Sequence, residues 1–365
     1  MRFYYKISPP KKYVIFHNTL SYEIKKYILT SKEDCTEVIE PLEINLNIKI
    51  LLLFVKNIFK IKRDTSLLFF IFSVYQYSRI EYYQPSIVIT FIDNSSIFQW
   101  ISRHYSKSNF FAIQNGNRSK KELTLDFKNN LTTFFTFGDY EKKQYYKYGH
   151  NANVFTPVGS FISAIYCNES KRTDINKYDI CLVSQHKLVI FNDIKNEKLK
   201  INLELIDNNL SKYLTTHKNL SLLVLCRYTR DSDGGKFEQE YFNSVYGQRA
   251  KLYFQDDFEY STYKGMAESS MIISCYSTSA TEASGWGKKV LFCDYSKNNI
   301  FADYKTGIWL TTNSEYNVFS DIVTKIISMD KAKYKDLTGD YFSHIMNYDR
   351  NISTIDKIRD GIFHV

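Results

Sequence analysis

SMIISCYSTSATEASGWGKKVLFCDYS, residues 270–296, opens on the apolar run Met271-Ile272-Ile273 and closes on Val290-Leu291-Phe292-Cys293. Each run is short and fully apolar, the pattern of a strand buried on both faces of a parallel sheet. Between them Ser277, Thr278, Ser279 and Thr281 cluster at the start of a predicted helix, with Glu282 in its first turn or two. Hydroxyl side chains there can cap orphan backbone N–H groups, and a plain cap is one reading of the cluster. Four hydroxyls and an acid exceed what capping needs. The positive end of the helix favours a bound phosphate, so a nucleotide phosphate cradle is the second reading. Gly285 and Gly287 suit a tight return from helix to strand.

With those residues in view, the stretch resembles the donor-binding segment in the C-terminal domain of GT-B glycosyltransferases. The similarity is closest to bacterial O-antigen and capsule enzymes, whose chains carry an ST-x-x-x-E-a-x-x-x-G-K-x-V-L pattern. The resemblance implies that Ser277, Thr278, Ser279 and Thr281 hold donor phosphate and that Glu282 holds the nucleotide ribose. It extends weakly over most of the chain, and its specific part is three or four short motifs.

Working outward, 365 residues suit two domains of ordinary size. A chain 44% hydrophobic and 24% charged is globular, not disordered. None of the six cysteines forms a C-x-x-C pair, and Cys181, Cys226, Cys275 and Cys293 fall in or beside apolar runs. Buried thiols in a reducing compartment explain them better than disulfides. The seven histidines show no metal-ligand spacing, so no metal site is expected. MRFYYKISPPKK has no apolar signal core, and no apolar run reaches membrane-spanning length, so a cytoplasmic protein is expected. Residues 1–160 hold 22 Lys and Arg against 13 Asp and Glu, whereas 161–365 hold 26 of each, so the net +9 sits in the first half.

Taken in order, strands are expected at 13–18, 86–92, 110–113 and 134–137, alternating with helices. Residues 44–63 read as one apolar helix whose Lys49, Lys56, Lys60, Lys62 and Arg63 are unopposed by acids. That helix and the apolar stretch 67–80 are either core-facing with a solvated basic edge or a surface for anionic lipid. Asp93 follows a strand, where it either points into the ligand crevice of an α/β sheet or caps the next helix. Gln114-Asn115-Gly116-Asn117-Arg118 ends another strand, and its Gly admits close backbone approach to a ligand or simply makes a tight turn. Gly159 and Ser160, in Pro157-Val158-Gly159-Ser160-Phe161, resemble the end of the first GT-B domain. A hinge is expected within 160–177.

In the second half, strands at 178–183, 220–225 and 250–254 alternate with helices at about 193–217 and 236–246. Arg227 leaves a strand end, where it neutralises donor phosphate or makes a surface salt bridge. Asp231-Ser232-Asp233 spells a metal-binding D-x-D but precedes Gly234-Gly235 in what reads as a flexible loop.

The expected architecture is α/β: two doubly wound Rossmann-like domains facing a cleft, of GT-B type. Residues 1–165 form an acceptor-side domain, 166–340 a nucleotide-sugar donor domain, and 341–365 a helix packing back on the first. The function the resemblance implies is metal-independent transfer of a sugar from a nucleotide-sugar donor to a surface-polysaccharide or lipopolysaccharide acceptor. No cofactor is expected beyond that donor. Asp93 is the candidate base, and Gln114, Asn115, Gly116, Gly159 and Ser160 lie on the acceptor side. The glycan acceptor could be lipid-linked, and residues 44–63 could meet the inner membrane face. A teichoic-acid-type polyol-phosphate transferase and a catalytically inactive glycan-binding scaffold remain open. A sugar-nucleotide 2-epimerase is disfavoured because paired carboxylates and a histidine are not evident. Without a P-loop, a G-x-G-x-x-G or a nucleic-acid motif, nucleotide hydrolysis, dinucleotide binding and nucleic acid lose support.

Overall fold

The computed structural model describes residues 2–29, 36–118, 123, 130–169, 176–187, 190–191, 197–295, 301, 305–348 and 352–364. The chain divides into two compact units, residues 1–161 with 349–365 and residues 162–348. The expected hinge and the start of the expected 193–217 helix fall partly on residues outside the described ones.

The first unit carries β1 (Arg2–Tyr4), β2 (Tyr13–Phe16), β3 (Thr36–Ile39), β4 (Glu43–Asn45), β5 (Ile87–Thr90), β6 (Asn109–Ile113), β7 (Asn130–Thr136) and β8 (Asn151–Pro157). Its helices are α1 (Ile48–Lys60), α2 (Leu67–Tyr83), α3 (Ser96–His104) and α4 (Asp139–Lys147). The helix Phe161–Glu169, α5, begins at the division between units. A six-stranded sheet runs β3-β2-β5-β6-β7-β8 with every pair parallel, and β1 pairs with β4 alone. β2, β5 and most of β6 and β7 are buried, as parallel strands covered on both faces must be. The expected single helix over 44–63 is shorter than that. Ile44 and Asn45 belong to β4, and Asn47 caps α1 by accepting from the Lys49 amide at 2.9 Å.

The second unit repeats the plan with β9 (Tyr178–Val183), β10 (Leu222–Leu225), β11 (Ala250–Tyr253), β12 (Ser269–Ser274), β13 (Lys289–Cys293) and β14 (Leu310–Thr311). Between and after them run α6 (Glu197–Thr216), α7 (Asp233–Tyr246), α8 (Ser261–Ala267), α9 (Thr278–Gly285), α10 (Tyr316–Ser328) and α11 (Lys331–Ile345). The sheet order is β11-β10-β9-β12-β13-β14, all parallel. The chain winds outward from β9 in one direction and then, from β12, in the other. That reversal puts the switch point between β9 and β12, where a doubly wound sheet opens a crevice at its carboxyl edge.

The last helix, α12 (Thr354–Phe363), belongs to the first unit. Thr354 Oγ1 donates to the Val158 carbonyl and Arg359 donates to the Tyr27 carbonyl at 2.9 Å.

Two glycine readings change. Gly287, at φ +77°, does make the left-handed turn into β13. Gly285 is needed for room instead: a Cβ there would sit 2.5 Å from the Tyr348 ring and 2.6 Å from Met346. The stretch around Asp231-Ser232-Asp233 is no flexible loop but the ordered start of α7. Ser232 Oγ caps the helix by accepting from the Gly235 amide at 3.1 Å. A Cβ on Gly235 would lie 2.0 Å from the Thr229 carbonyl oxygen, and backbone cannot swing aside as a side chain can. Gly235→Ala should therefore cost about 1–3 kcal/mol by overpacking. Thermal unfolding followed by circular dichroism should show Tm falling by several degrees. An unchanged Tm would mean that the turn is loose after all.

Candidate functional site

Three strand ends of the second unit, those of β9, β10 and β12, are tied together near the switch point by side chains distant in sequence. Gln185, just past β9, is buried, and its Oε1 accepts from the Tyr276 amide at 2.7 Å and from Ser274 Oγ at 3.2 Å. Ser274 Oγ in turn accepts from the Ser277 amide at 3.2 Å. One amide side chain thus fixes the loop that leads into α9. Glu238 on α7 does the same for β10. It is fully buried, and its carboxylate accepts from the Arg227 amide at 2.8 Å, the Tyr228 amide at 3.2 Å and the Ser184 hydroxyl. Burial pushes the Glu238 carboxyl above its ordinary range, against the opposing pull of those donors. Beneath them His186 Nε2 lies 2.8 Å from Asp207 Oδ2, and Asp207 also accepts from Tyr241 and Tyr246 at 2.9 and 2.8 Å. Gln185, Ser184, His186, Asp207, Glu238 and Ser274 are all buried, and their bonds make the strand ends a rigid platform.

On the platform sit two cations. Arg227 is exposed at the end of β10, and its guanidinium has no hydrogen bond or ion pair among the described residues. Lys187, two residues past Gln185, is half-buried. Its pKa is lowered, first by burial and then by the Arg227 charge, so the two cations are close enough to repel. Two neighbouring positive charges without a carboxylate between them are stabilised by an anion.

Ser277 is the residue preceding α9, yet its side chain makes no capping bond. Ser277, Thr278 and Ser279 are half-exposed at the helix start, and an anion there would meet both hydroxyls and backbone N–H groups. Thr281 stands apart from this trio. It is buried, and its hydroxyl donates to the Ser277 carbonyl at 3.3 Å within the helix. Glu282 is also buried, 3% exposed, within the body of α9. The sequence thus placed the hydroxyl cluster, but Thr281 and Glu282 are not displayed beside the other three.

The first unit gathers a second cluster at the carboxyl ends of β5 and β6. Asp93 is 1% exposed, and its oxygens accept from Arg118, from the Asn115 amide at 3.0 Å and from the Tyr145 hydroxyl at 3.0 Å. It does not cap α3, because Ser95 does so, accepting from the Phe98 amide at 3.4 Å. Gln114 is buried too, its amide donating to the Gly116 carbonyl at 3.0 Å and accepting from the Phe137 amide at 2.8 Å. Asn115 and Gly116 complete that turn, and Asn115 Oδ1 accepts from Arg118. Gly159, at φ +83°, turns the chain after β8, its amide donating to the Phe137 carbonyl at 3.1 Å, and Ser160 beside it is buried. Glu141 on α4, which the sequence did not single out, lies by Gln114 and Arg118. Burial raises its carboxyl to about 8.

Among the described residues no group of three or more His, Cys, Asp or Glu is gathered to hold a metal ion. No helix among them is long and apolar enough to cross a membrane.

No family model matches the chain, and no curated protein matches it. Solved structures do. A protein described as a UDP-N-acetylglucosamine 2-epimerase from Listeria monocytogenes superposes with TM-score 0.59 at 12% identity, over 96% of both chains. The Neisseria meningitidis UDP-GlcNAc 2-epimerase bound to UDP-GlcNAc gives 0.50 at 14%, again over 96% of each. The lipopolysaccharide outer core galactosyltransferase WaaB gives 0.49 at 13%, over 96% of this chain and 99% of its own. The fold is of GT-B type. At such identity the likeness is one of fold, and the two parallel six-stranded sheets express it.

The raised Glu141 carboxyl carries a pH signature. The unfolded carboxyl ionises near pH 4.5 while the folded one keeps its proton to about pH 8. The folded state therefore binds more protons across that window, and stability must fall as pH rises through it. Glu141→Gln should abolish this slope, leaving the variant the more stable near pH 8 and little different near pH 5. Urea unfolding at the two pH values measures it, and equal slopes in both proteins would refute the assignment.

Proposed function

We propose that the protein is a GT-B-type glycosyltransferase that takes a nucleotide-sugar donor and passes its sugar to a glycan acceptor of the cell surface. The observation that carries this reading is the exposed Arg227 at the carboxyl edge of the second sheet, whose switch point opens on the uncapped start of α9, with Lys187 near enough to feel the Arg227 charge. Two cations, three half-exposed hydroxyls and a helix N-terminus suit a diphosphate whose charge grows as the glycosyl bond breaks. These groups can hold a departing phosphate by themselves, so transfer is proposed to need no metal. Activity should then survive chelation by EDTA.

A second reading, epimerisation of a nucleotide-sugar, is favoured by the two superposed 2-epimerases and by His186 at the end of β9. Inversion at a ring carbon requires a strong base to remove a carbon-bound proton. The first unit's strand-end acids are poorly suited to that work: Asp93 is bound to Arg118, position 114 is Gln, and Glu141 holds its own proton at neutral pH. Loss of sugar from phosphate asks less of a base, which supports transfer.

The test is a panel of UDP-, GDP-, CMP- and CDP-linked sugars. Product should appear only with an acceptor glycan, and the donor ring should take up no deuterium from heavy water. Deuterium incorporation without acceptor would establish the epimerase reading. Binding without any turnover would leave a scaffold. In the same panel, Arg227→Ala and Lys187→Ala should each weaken donor binding about ten- to a hundredfold, the worth of a charged hydrogen bond. Calorimetry reads this directly, and unchanged affinity in both variants would remove the diphosphate from this platform.

A further inference from the structure

The helix α1 leaves its apolar side bare. Ile48, Leu52, Val55 and Phe59 are 60%, 63%, 54% and 86% exposed. At about 100° per residue these four positions fall within roughly 60° of arc, a single stripe along the helix. The residues that α1 buries, Ile50 and Asn57, lie on the opposite side. Core packing therefore accounts for the other face of this helix and not for this one.

The bare stripe continues past the helix. Asn47, which caps α1, donates to the Lys6 carbonyl at 3.0 Å, so the segment around Lys6 lies against the helix start. Tyr4 turns inward to accept from Arg79, so Phe3 and Tyr5 point to the other side of the strand. Phe3, Tyr5 and Ile7 are 61%, 63% and 70% exposed, with Leu42 and Leu46 exposed around the neighbouring β4.

Cations line the stripe. Lys49, Lys56 and Lys60 stand about 100° round the helix from its centre, on one flank, and Lys62 and Arg63 follow its end. None of the five makes an ion pair among the described residues, and α1 contains no acid. The nearby carboxylates are already engaged: Glu81 accepts from Asn57 at 2.6 Å, Asp64 from the Trp100 indole at 2.9 Å, and Glu43 lies 3.5 Å from Arg2. Beside the flank runs an open groove of about 520 Å³ lined by Lys49, Leu52, Lys56, Glu81, Tyr82 and Gln84.

We propose that this surface docks the protein on an anionic lipid bilayer, with α1 lying in the interface plane. Ile48, Leu52, Val55 and Phe59 enter the acyl boundary. Lys49, Lys56 and Lys60 meet lipid phosphates, one headgroup seating in the groove. An apolar stripe with a wholly cationic flank matches the layered chemistry of such a bilayer: apolar interior beneath a negative surface. A second copy of this chain would bring the same five cations against themselves, which disfavours self-association. The inference is independent of the donor-site reading.

Flotation of the full chain with phosphatidylglycerol-containing vesicles, against phosphatidylcholine alone, tests it. Binding is expected on the anionic vesicles at low ionic strength and should fall as salt rises. Lys49→Glu, Lys56→Glu and Lys60→Glu combined should weaken it at least on the order of a hundredfold. Leu52→Ser with Phe59→Ser should also release the protein while keeping its Tm, because both side chains are exposed. The proposal is overturned if the unaltered protein stays off anionic vesicles. It is equally overturned if the serine variant floats as well as the unaltered chain, or if sedimentation shows a dimer that Phe59→Ser dissolves.

Discussion

Two buried side chains, Gln185 and Glu238, hold the crevice edge on which the proposed donor site depends. A parallel strand ends with carbonyls and amides that have lost their ladder partners, and left unpaired in the interior they cost free energy. Gln185 takes up the amide of Tyr276, and Glu238 takes up those of Arg227 and Tyr228. Once these are satisfied from below, the backbone at the α9 start and at Arg227 is held in place before any ligand arrives. A preorganised set of donors is what a developing phosphate charge requires, since reorganisation at the moment of reaction is avoided.

Part of this was legible in the residues. The alternation of buried strands and helices, the hydroxyl cluster at 277–279 and the strand-end position of Arg227 are local patterns, and local patterns survive folding. What could not be read were contacts across long separations. Gln185 meets a loop 91 residues away and Glu238 meets Ser184 over 54. No local signal marks Lys187 as the neighbour of Arg227. The surroundings of Asp93 were hidden for the same reason. A strand-end aspartate reads as free until a remote arginine and tyrosine are found on it. Gly234-Gly235 read as flexible because glycine usually is, whereas here it is selected for lack of volume against Tyr228 and Thr229.

The first unit shows the limit of hydrophobic pattern. Residues 48–60 are so rich in Leu, Ile and Phe that either face could have been the core one. Periodicity locates a helix but does not say which side the tertiary structure covers. Only packing shows that Ile50 and Asn57 face inward while Leu52 and Phe59 face out. The two halves of the chain thus divide their chemistry. Net charge lies in the first, on a surface, and in the second the informative charges are few and sit at strand ends.

Amide hydrogen exchange with and without nucleotide-sugar tests the central claim most directly, because it reads backbone positions without mutation. Binding of a matching donor should slow exchange at residues 184–187, 227–229 and 276–280 together, the three strand ends joined at the switch point of the second sheet. Protection absent from all three with every nucleotide class, or confined to other parts of the chain, would contradict the account.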